Sequence, residues 1–192
     1  MTMNIEDVLP PIQSEGLNTD ENVDFDGTLN VQGAVTLQST LNVTGAITST
    51  AGMINRRNVL ASSGNTTITT AMSGSVMLID GASTDYALPA IGSGDIGVYY
   101  DFVSTIISTG TQTITAQAAD LLTGSIAIID AGAVGSDIFS PDVSDDLVIT
   151  LNGTTTGGVA VGSWCRLTAI SATRWFVQGV FNGSGTLATP FS

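Results

Sequence analysis

The clearest pattern in the chain is a regular alternation of apolar and polar positions between residues 28 and 48. The segment TLNVQGAVT at 28–36 recurs as TLNVTGAIT at 40–48, so the repeat has a period of twelve residues. Because successive side chains of a strand point to opposite sides, this pattern predicts a strand-like backbone with one apolar face. The apolar face comprises the odd-numbered Leu29, Val31, Val35, Leu37, Leu41, Val43 and Ile47.

The repeat predicts that three chains associate. A strand-like backbone must pair its N–H and C=O groups, and the apolar face must be covered. The four hexads of residues 27–52 would form little more than one turn of a hexapeptide β-helix. A stable solenoid needs about three or more such turns. Three chains wound together would pair their backbones and bury the three apolar faces on one axis. We therefore predict a trimeric β-stalk of β-prism or β-helix-like form over 27–52; an intrachain sheet or β-helix fragment is the alternative.

The rest of the chain predicts one all-β domain over residues 63–182, a β-sandwich or a jelly roll. Short apolar runs are separated by turns rich in Gly, Ser, Asp or Pro, and helical periodicity is weak. Ala172-Thr173 suits a tight hairpin between the last two strands. A junction at 53–62 precedes this domain, and a tail at 183–192 either contacts a neighbour or frays. The candidate strands are 75–80, 95–104, 111–116, 125–130, 146–151, 163–170 and 174–180, with a weaker one at 66–70.

An internal similarity links two of these strands. GSVMLID at 74–80 resembles GSIAIID at 124–130, at a spacing of fifty residues. Equivalent positions in two halves of a sandwich would explain the similarity, and so would chance convergence of two strand sequences.

The first 26 residues predict an extended acidic arm. They carry seven acids and no base, and the adjacent prolines favour an extended conformation. The segment is either a solvated tail or an arm that becomes ordered when it docks on another protein, with its apolar residues as anchors. The docking candidates are Ile5, Val8, Leu9, Pro10, Pro11 and Ile12.

Composition and charge narrow the range of partners. The chain has 17 acidic residues, four arginines, no lysine and no histidine, which gives a net charge of −13. Nucleic acids and anionic membrane surfaces attract basic proteins, so we expect neither as a partner. No apolar run approaches the about 18 residues of a membrane helix. We therefore expect a soluble chain whose acidic residues serve solubility or meet a basic protein surface.

The residue inventory also argues against an enzyme. Ser-His and Cys-His catalysis, histidine-containing zinc sites and lysine chemistry all need residues that this chain lacks. We expect no cofactor. Clustered carboxylates remain at Asp142, Asp145 and Asp146, where a solvated turn is the simplest interpretation and a weak Ca²⁺ site is the alternative.

Two tryptophans flank the predicted last hairpin. Trp164 and Trp175 most simply pack in the core, since large aromatic side chains dominate protein interiors. A surface platform that contacts a glycan is the alternative.

Three segments give the chain a family resemblance. The repeat Leu-Asn-Val-x-Gly-Ala-[Val/Ile]-Thr resembles the short repeats of bacteriophage fibres and head-decorating proteins, and residues 144–154 and 162–177 are similar to the C-terminal β-domains of such virion proteins. This resemblance implies a homotrimer with an N-terminal attachment arm, a β-stalk and an exposed β-domain. It supplies no catalytic residue.

Two placements on a virion compete within that class. A capsid decoration or head-fibre protein would dock its arm on the major capsid protein or another virion protein, at a threefold position of the capsid exterior. A tail or collar fibre would present its β-domain to a host receptor or glycan. The short stalk favours decoration. A carbohydrate-binding or depolymerase module is a third alternative.

Overall fold

A computed structural model describes residues 57–62, 64–117, 119–133 and 135–192, besides the single residue Thr36. Apart from Thr36, these residues belong to the unit Ile54–Ser192. The residues predicted for the attachment arm and for the apolar face of the stalk lie outside the described residues, and both elements stay predictions.

The described residues form eleven strands and two short 3₁₀ turns, at Thr70–Met72 and Ser93–Asp95. Among them, no helix is long and apolar enough to span a bilayer. The strands are β1 (Val59–Ser62), β2 (Thr66–Thr67), β3 (Val76–Ile79), β4 (Asp85–Ala87), β5 (Tyr99–Ser104), β6 (Gln112–Thr115), β7 (Leu121–Asp130), β8 (Ser136–Phe139), β9 (Val148–Leu151), β10 (Trp164–Ser171) and β11 (Arg174–Gly183).

These strands make two sheets. The larger sheet has seven strands in the order β1-β3-β5-β10-β11-β7-β8, and the smaller has four in the order β2-β4-β6-β9. From β1 to β6 the chain changes sheet at every strand, so β1, β3 and β5 stack in parallel in one sheet and β2, β4 and β6 in the other. The chain therefore winds as a coil between the two sheets: each turn of the coil adds one strand to each sheet, and successive turns run in the same direction.

The all-β prediction is confirmed, but the pairing is not that of a jelly roll. Jelly rolls are antiparallel architectures, whereas five of the nine strand pairings in the described residues are parallel. The antiparallel pairs are concentrated after β6, where β10 and β11 form the predicted hairpin through Ala172-Thr173.

One core lies between the two sheets. Tyr86 of the smaller sheet meets Phe102 of the larger sheet edge to face, with ring centroids 5.6 Å apart. Tyr100 and Trp175, both fully buried, pack together at 5.8 Å on neighbouring parts of the larger sheet. The inward side chains of both sheets therefore form a single cluster.

Close approach of two strands requires a glycine in β7. Gly124 has a φ of +115° and faces β11, where a Cβ atom would collide with the backbone of Val177. Glycine adopts this conformation without the penalty that a side chain would add. The ten-residue pairing of β7 with β11 depends on that position.

The C-terminal residues form part of the fold. Phe191 is 5% exposed and pairs with Ile149 of β9 in an antiparallel bridge. The carbonyl of Ser192 accepts a hydrogen bond from the N–H of Val148 at 2.8 Å. The last residues of the segment 183–192 therefore do not fray, because they pair along the open edge of β9 within their own chain.

We expect Phe191→Ala to lower the free energy of unfolding by about 3 kcal/mol, because it empties a buried aromatic site against β9. Urea unfolding of the full chain measures this change. The exposed Thr186→Ala in the same segment is the matched control. Equal midpoints for the two variants would show that Phe191 does not hold the C-terminus.

Candidate functional site

The outer face of the larger sheet, which points away from the core, carries an unbroken row of apolar side chains. Strand register places one residue from each of the seven strands in this row, which we call the apolar row. In order across the sheet, it consists of Ala61, Leu78, Val103, Trp164, Val180, Ala127 and Ile138.

The apolar row is accessible in the described domain. Ile138 is 74% exposed and Trp164 is 40% exposed. Val59, Ile129, Ile170 and Phe176 on the same face are also exposed, so this face holds six of the ten exposed large apolar side chains in the described residues. A sheet that packs on only one side ordinarily turns polar side chains to water on the other. This face departs from that rule.

The smaller sheet follows the ordinary rule. Its outer face carries one row of Asp85, Thr113 and Thr150, and a second row in which threonines recur. The two faces of the domain therefore differ in chemistry, and the difference is not a general property of a Thr- and Val-rich chain.

An ion-pair cluster lies beside the apolar row. Arg166 of β10 faces Asp101 of β5 in register and holds its carboxylate with both Nε, at 2.6 Å from Oδ1, and Nη2, at 2.8 Å from Oδ2. Arg57, just before β1, donates from Nη1 to the same carboxylate. It also donates from Nε to the carbonyl of Gly74 at 2.6 Å and from Nη2 to that of Ser75 at 3.1 Å. The cluster joins the start of the domain to β5, to β10 and to the turn that precedes β3.

The electrostatics of the cluster favour the charged state. Burial opposes ionisation of Asp101, but the hydrogen bonds and charges of Arg166 and Arg57 outweigh it, and the pKa of Asp101 is lower than usual. The hydrogen bond to Asp101 likewise raises the pKa of Arg166. Two cations share one carboxylate here, so the cluster carries a net charge of about +1 in a strongly acidic chain.

Tyr99 lies under both guanidinium groups. The Arg166 and Arg57 Cζ atoms are 5.0 Å and 5.5 Å from its ring centroid, within the range of cation–π attraction. Two shallow clefts flank Arg57. One, of about 380 Å³, runs along Met72–Ser75 and Tyr99, and the other, of about 300 Å³, lies between Asp101, Trp164 and Gln178.

The two tryptophans have different environments. Trp175 is fully buried in the core, with its indole N–H unpaired, so the predicted glycan contact at this position is wrong and core packing accounts for it. Trp164 lies at the surface, beside the 300 Å³ cleft and in the middle of the apolar row. The two residues lie on opposite faces of the larger sheet. Trp175 pairs with the inward-facing Ala169, whereas Trp164 pairs with Val180 in the outward-facing apolar row.

The predicted calcium candidate forms a turn. Asp142 accepts hydrogen bonds from the N–H and hydroxyl of Ser144, at 2.9 Å and 2.6 Å, and the hydrogen bond from that hydroxyl is the main reason why its pKa is lowered. Asp146 accepts from the N–H of Asp142 at 2.6 Å. Within the described ranges, no three Asp, Glu, His or Cys side chains are arranged to hold a metal ion. Two of the three carboxylates, those of Asp142 and Asp146, accept backbone hydrogen bonds that order the loop before β9, as expected of the solvated turn.

Cys165 is a core residue in this structure. It is fully buried on the inward side of β10, and burial, with the charge of Asp101, raises the pKa of its thiol. A thiol in that state is a poor nucleophile.

No protein-family model matches the chain, and searches of curated proteins and of solved structures return no match. The interpretation of the outer face therefore depends on its own geometry.

Sequence reasoning identified neither the apolar row nor the ion-pair cluster. Arg166 and Asp101 are 65 positions apart, and their neighbourhood depends on the pairing of β5 with β10. A signal was present, since Asp101 is a lone acid within an otherwise apolar strand. A charge at such a position needs a partner of opposite charge.

We expect Asp101→Asn to destabilise the domain by about 2 kcal/mol at neutral pH, because it removes charge-assisted hydrogen bonds and leaves two guanidinium groups side by side. Chemical denaturation measures the change, and Asp137→Asn, at an exposed position of β8, is the control. A shift no larger than that of the control would mean that the cluster contributes nothing to stability.

The ion pairs of Asp101 also predict how the stability difference between the native chain and Asp101→Asn depends on pH. Because the pKa of Asp101 is lowered by folding, its stabilising effect is complete above the ordinary carboxyl pKa of about 3.9 and is lost as pH falls through the lowered value. The stability difference between the native chain and Asp101→Asn should therefore be constant around neutral pH and shrink in acid. A difference that grows on acidification would contradict the assignment.

Proposed function

We propose that this chain is a non-enzymatic structural subunit of a virion, a homotrimer that decorates the capsid exterior and is anchored there by residues 1–26. The proposal combines the sequence resemblance to bacteriophage decoration and fibre proteins with the surface chemistry of the described domain. Its partners are two further copies of the chain and a major capsid protein or another virion protein.

The observation that carries the proposal is the apolar row. A continuous apolar stripe across seven strands is the mark of a protein–protein contact rather than of a substrate pocket. The clefts beside it are shallow and are lined by an ion pair whose donors and acceptors are already used by one another. This geometry suits a packed structural interface better than turnover of a substrate.

The number of copies comes from the repeat. Residues 27–52 carry one apolar face that three chains would bury together, and a trimer matches the threefold positions of a capsid lattice. The acidic arm with its central apolar residues supplies the means of attachment.

A second candidate is a tail or collar fibre that binds a host glycan. It is favoured by one observation, the half-exposed ring of Trp164 beside Arg166 and Gln178, because sugars stack on aromatic rings and bond to polar neighbours. A carbohydrate-binding or depolymerase module would use the same surface. Glycan-array binding by the native chain that disappears in Trp164→Ala would favour these alternatives over decoration.

The trimer is tested by mass. We expect the full chain to sediment at three times its 19.6 kDa mass at micromolar concentration. Paired Val35→Asn and Leu41→Asn, on the apolar face of the repeat, should weaken the trimer, whereas Thr40→Asn and Thr44→Asn on the polar side should not. A monomeric native chain would overturn the proposal.

Attachment is tested by deletion. We expect removal of residues 1–26 to abolish incorporation into particles that lack the native subunit, while the trimer mass, less the arm, is retained. Ser14→Ala and Thr19→Ala, polar changes within the arm, serve as controls. Incorporation at the native level without the arm would show that another part of the chain attaches it.

A further inference from the structure

We propose that three copies of the chain pack their larger sheets against one another around a threefold axis that runs along the apolar row. This inference rests on the homotrimer proposed above and assigns it a second interface, in the C-terminal domain. The apolar face of each chain is therefore covered by the same face of two other copies of the chain.

The direction of the row sets the direction of the axis. The row crosses the strands, and its seven residues lie one strand spacing apart, so it extends for about 29 Å at about 4.8 Å per spacing. If the row of each copy runs parallel to the axis, every residue of the row meets the same residue of the two other copies, at the same position along the axis. Trp164, on the fourth strand of seven, then lies at the middle of the shared core.

Charge explains why the partner is another copy. The chain carries a net charge of −13, so two copies repel unless they meet at a face without uncompensated acids. Among the strand residues on this outer face, Asp101 is the only acid, and it is paired with Arg57 and Arg166. The smaller sheet instead presents Asp85 on its outer face. On the larger sheet, identical domains therefore meet without bringing an unpaired acid of one copy against that of another.

The size of the face is sufficient for a stable contact. Its three central rows span about 20 Å along the strands, so the face measures roughly 600 Å², close to the about 800 Å² that each partner contributes to a standard interface. The exposed tryptophan at its centre is the residue type most often found at the energetic centre of interfaces.

The start of the domain lies on the same face. Arg57, which joins the domain to the preceding chain, is held by Asp101 and by the carbonyls of Gly74 and Ser75. Association of three chains through residues 27–52 would raise the local concentration of the three apolar rows, wherever the repeat lies.

Threefold packing differs from twofold packing in a measurable way. Around a threefold axis along the row, Ile138 at the end of the row meets Ile138 of the other copies. In a twofold pair whose axis is perpendicular to the sheet face, the rows run in opposite directions, so Ile138 meets Ala61, and only the central Trp164 meets its own equivalent. A twofold axis along the row would keep Ile138 against Ile138, but it would leave no chain without a cross-linking partner. Disulfide cross-linking of single cysteine variants distinguishes these arrangements, and the native Cys165 does not interfere because it is fully buried.

The experiment uses full-length Ile138→Cys, Trp164→Cys and Thr67→Cys, oxidised under mild conditions and separated without reductant. Thr67 is an exposed control on the outer face of the smaller sheet. We expect Ile138→Cys and Trp164→Cys to form cross-linked dimers that include at most two of every three chains, since one thiol of each trimer has no partner left. Thr67→Cys should remain uncross-linked, and its unfolding midpoint in the reduced state should match that of the native chain.

The outcomes separate this inference from the proposed function. A trimeric mass without cross-linking at Ile138 or Trp164 would overturn the shared axis and leave the homotrimer intact. Cross-linking at Trp164 but not at Ile138 would show that the rows do not run together along the axis. Cross-linking at Ile138 that consumes all of the chains would contradict three copies, and a monomeric native chain would overturn both proposals.

Discussion

The larger sheet of this protein has apolar side chains on both of its faces, and the rest of the account depends on that fact. The inner face is covered by the smaller sheet, through contacts such as Tyr86 on Phe102. The outer face presents Trp164, Ile138 and five further apolar side chains in one row across all seven strands. Burial of apolar area is the main favourable term in protein association. A domain that leaves such a row open therefore gains free energy when a matching surface covers it.

The polar groups around the row fit the same purpose. Asp101 would make the face acidic if it stood alone, and Arg57 and Arg166 neutralise it while they connect β5, β10 and the start of β1. One edge of the smaller sheet is closed by its own chain, because Phe191 and Ser192 pair along β9. The C-terminus thus covers one open strand edge. The outer face of the larger sheet stays accessible and holds six of the ten exposed large apolar side chains in the described residues.

Local patterns predicted the strands well and their arrangement poorly. The alternation at 163–170 and the turn at Ala172-Thr173 predicted β10 and its hairpin with β11, because side-chain period and turn chemistry are properties of neighbouring residues. The short strands β1, β4 and β8 were not predicted, since segments of three or four residues carry little periodic signal. The similarity between 74–80 and 124–130 also misled. Met77 points into the core while its counterpart Ala127 lies in the apolar row, so the two segments are out of phase.

The candidate site was beyond local patterns altogether. The apolar row takes its residues from seven strands scattered between positions 61 and 180, and only the strand order brings them together. Core packing was predicted for both Trp164 and Trp175, with a surface contact as the alternative for each. The burial that separates them depends on which side of the sheet each residue occupies.

The most direct measurement is acrylamide quenching of tryptophan fluorescence in the native full-length chain. The two tryptophans form a built-in comparison, because Trp175 is fully buried and Trp164 is 40% exposed in the isolated domain. If three copies cover the apolar row, both indoles should be shielded, with weak quenching of all the emission. A readily quenched fraction from Trp164 in the assembled protein would contradict the account, because it would show that the outer face remains open to solvent.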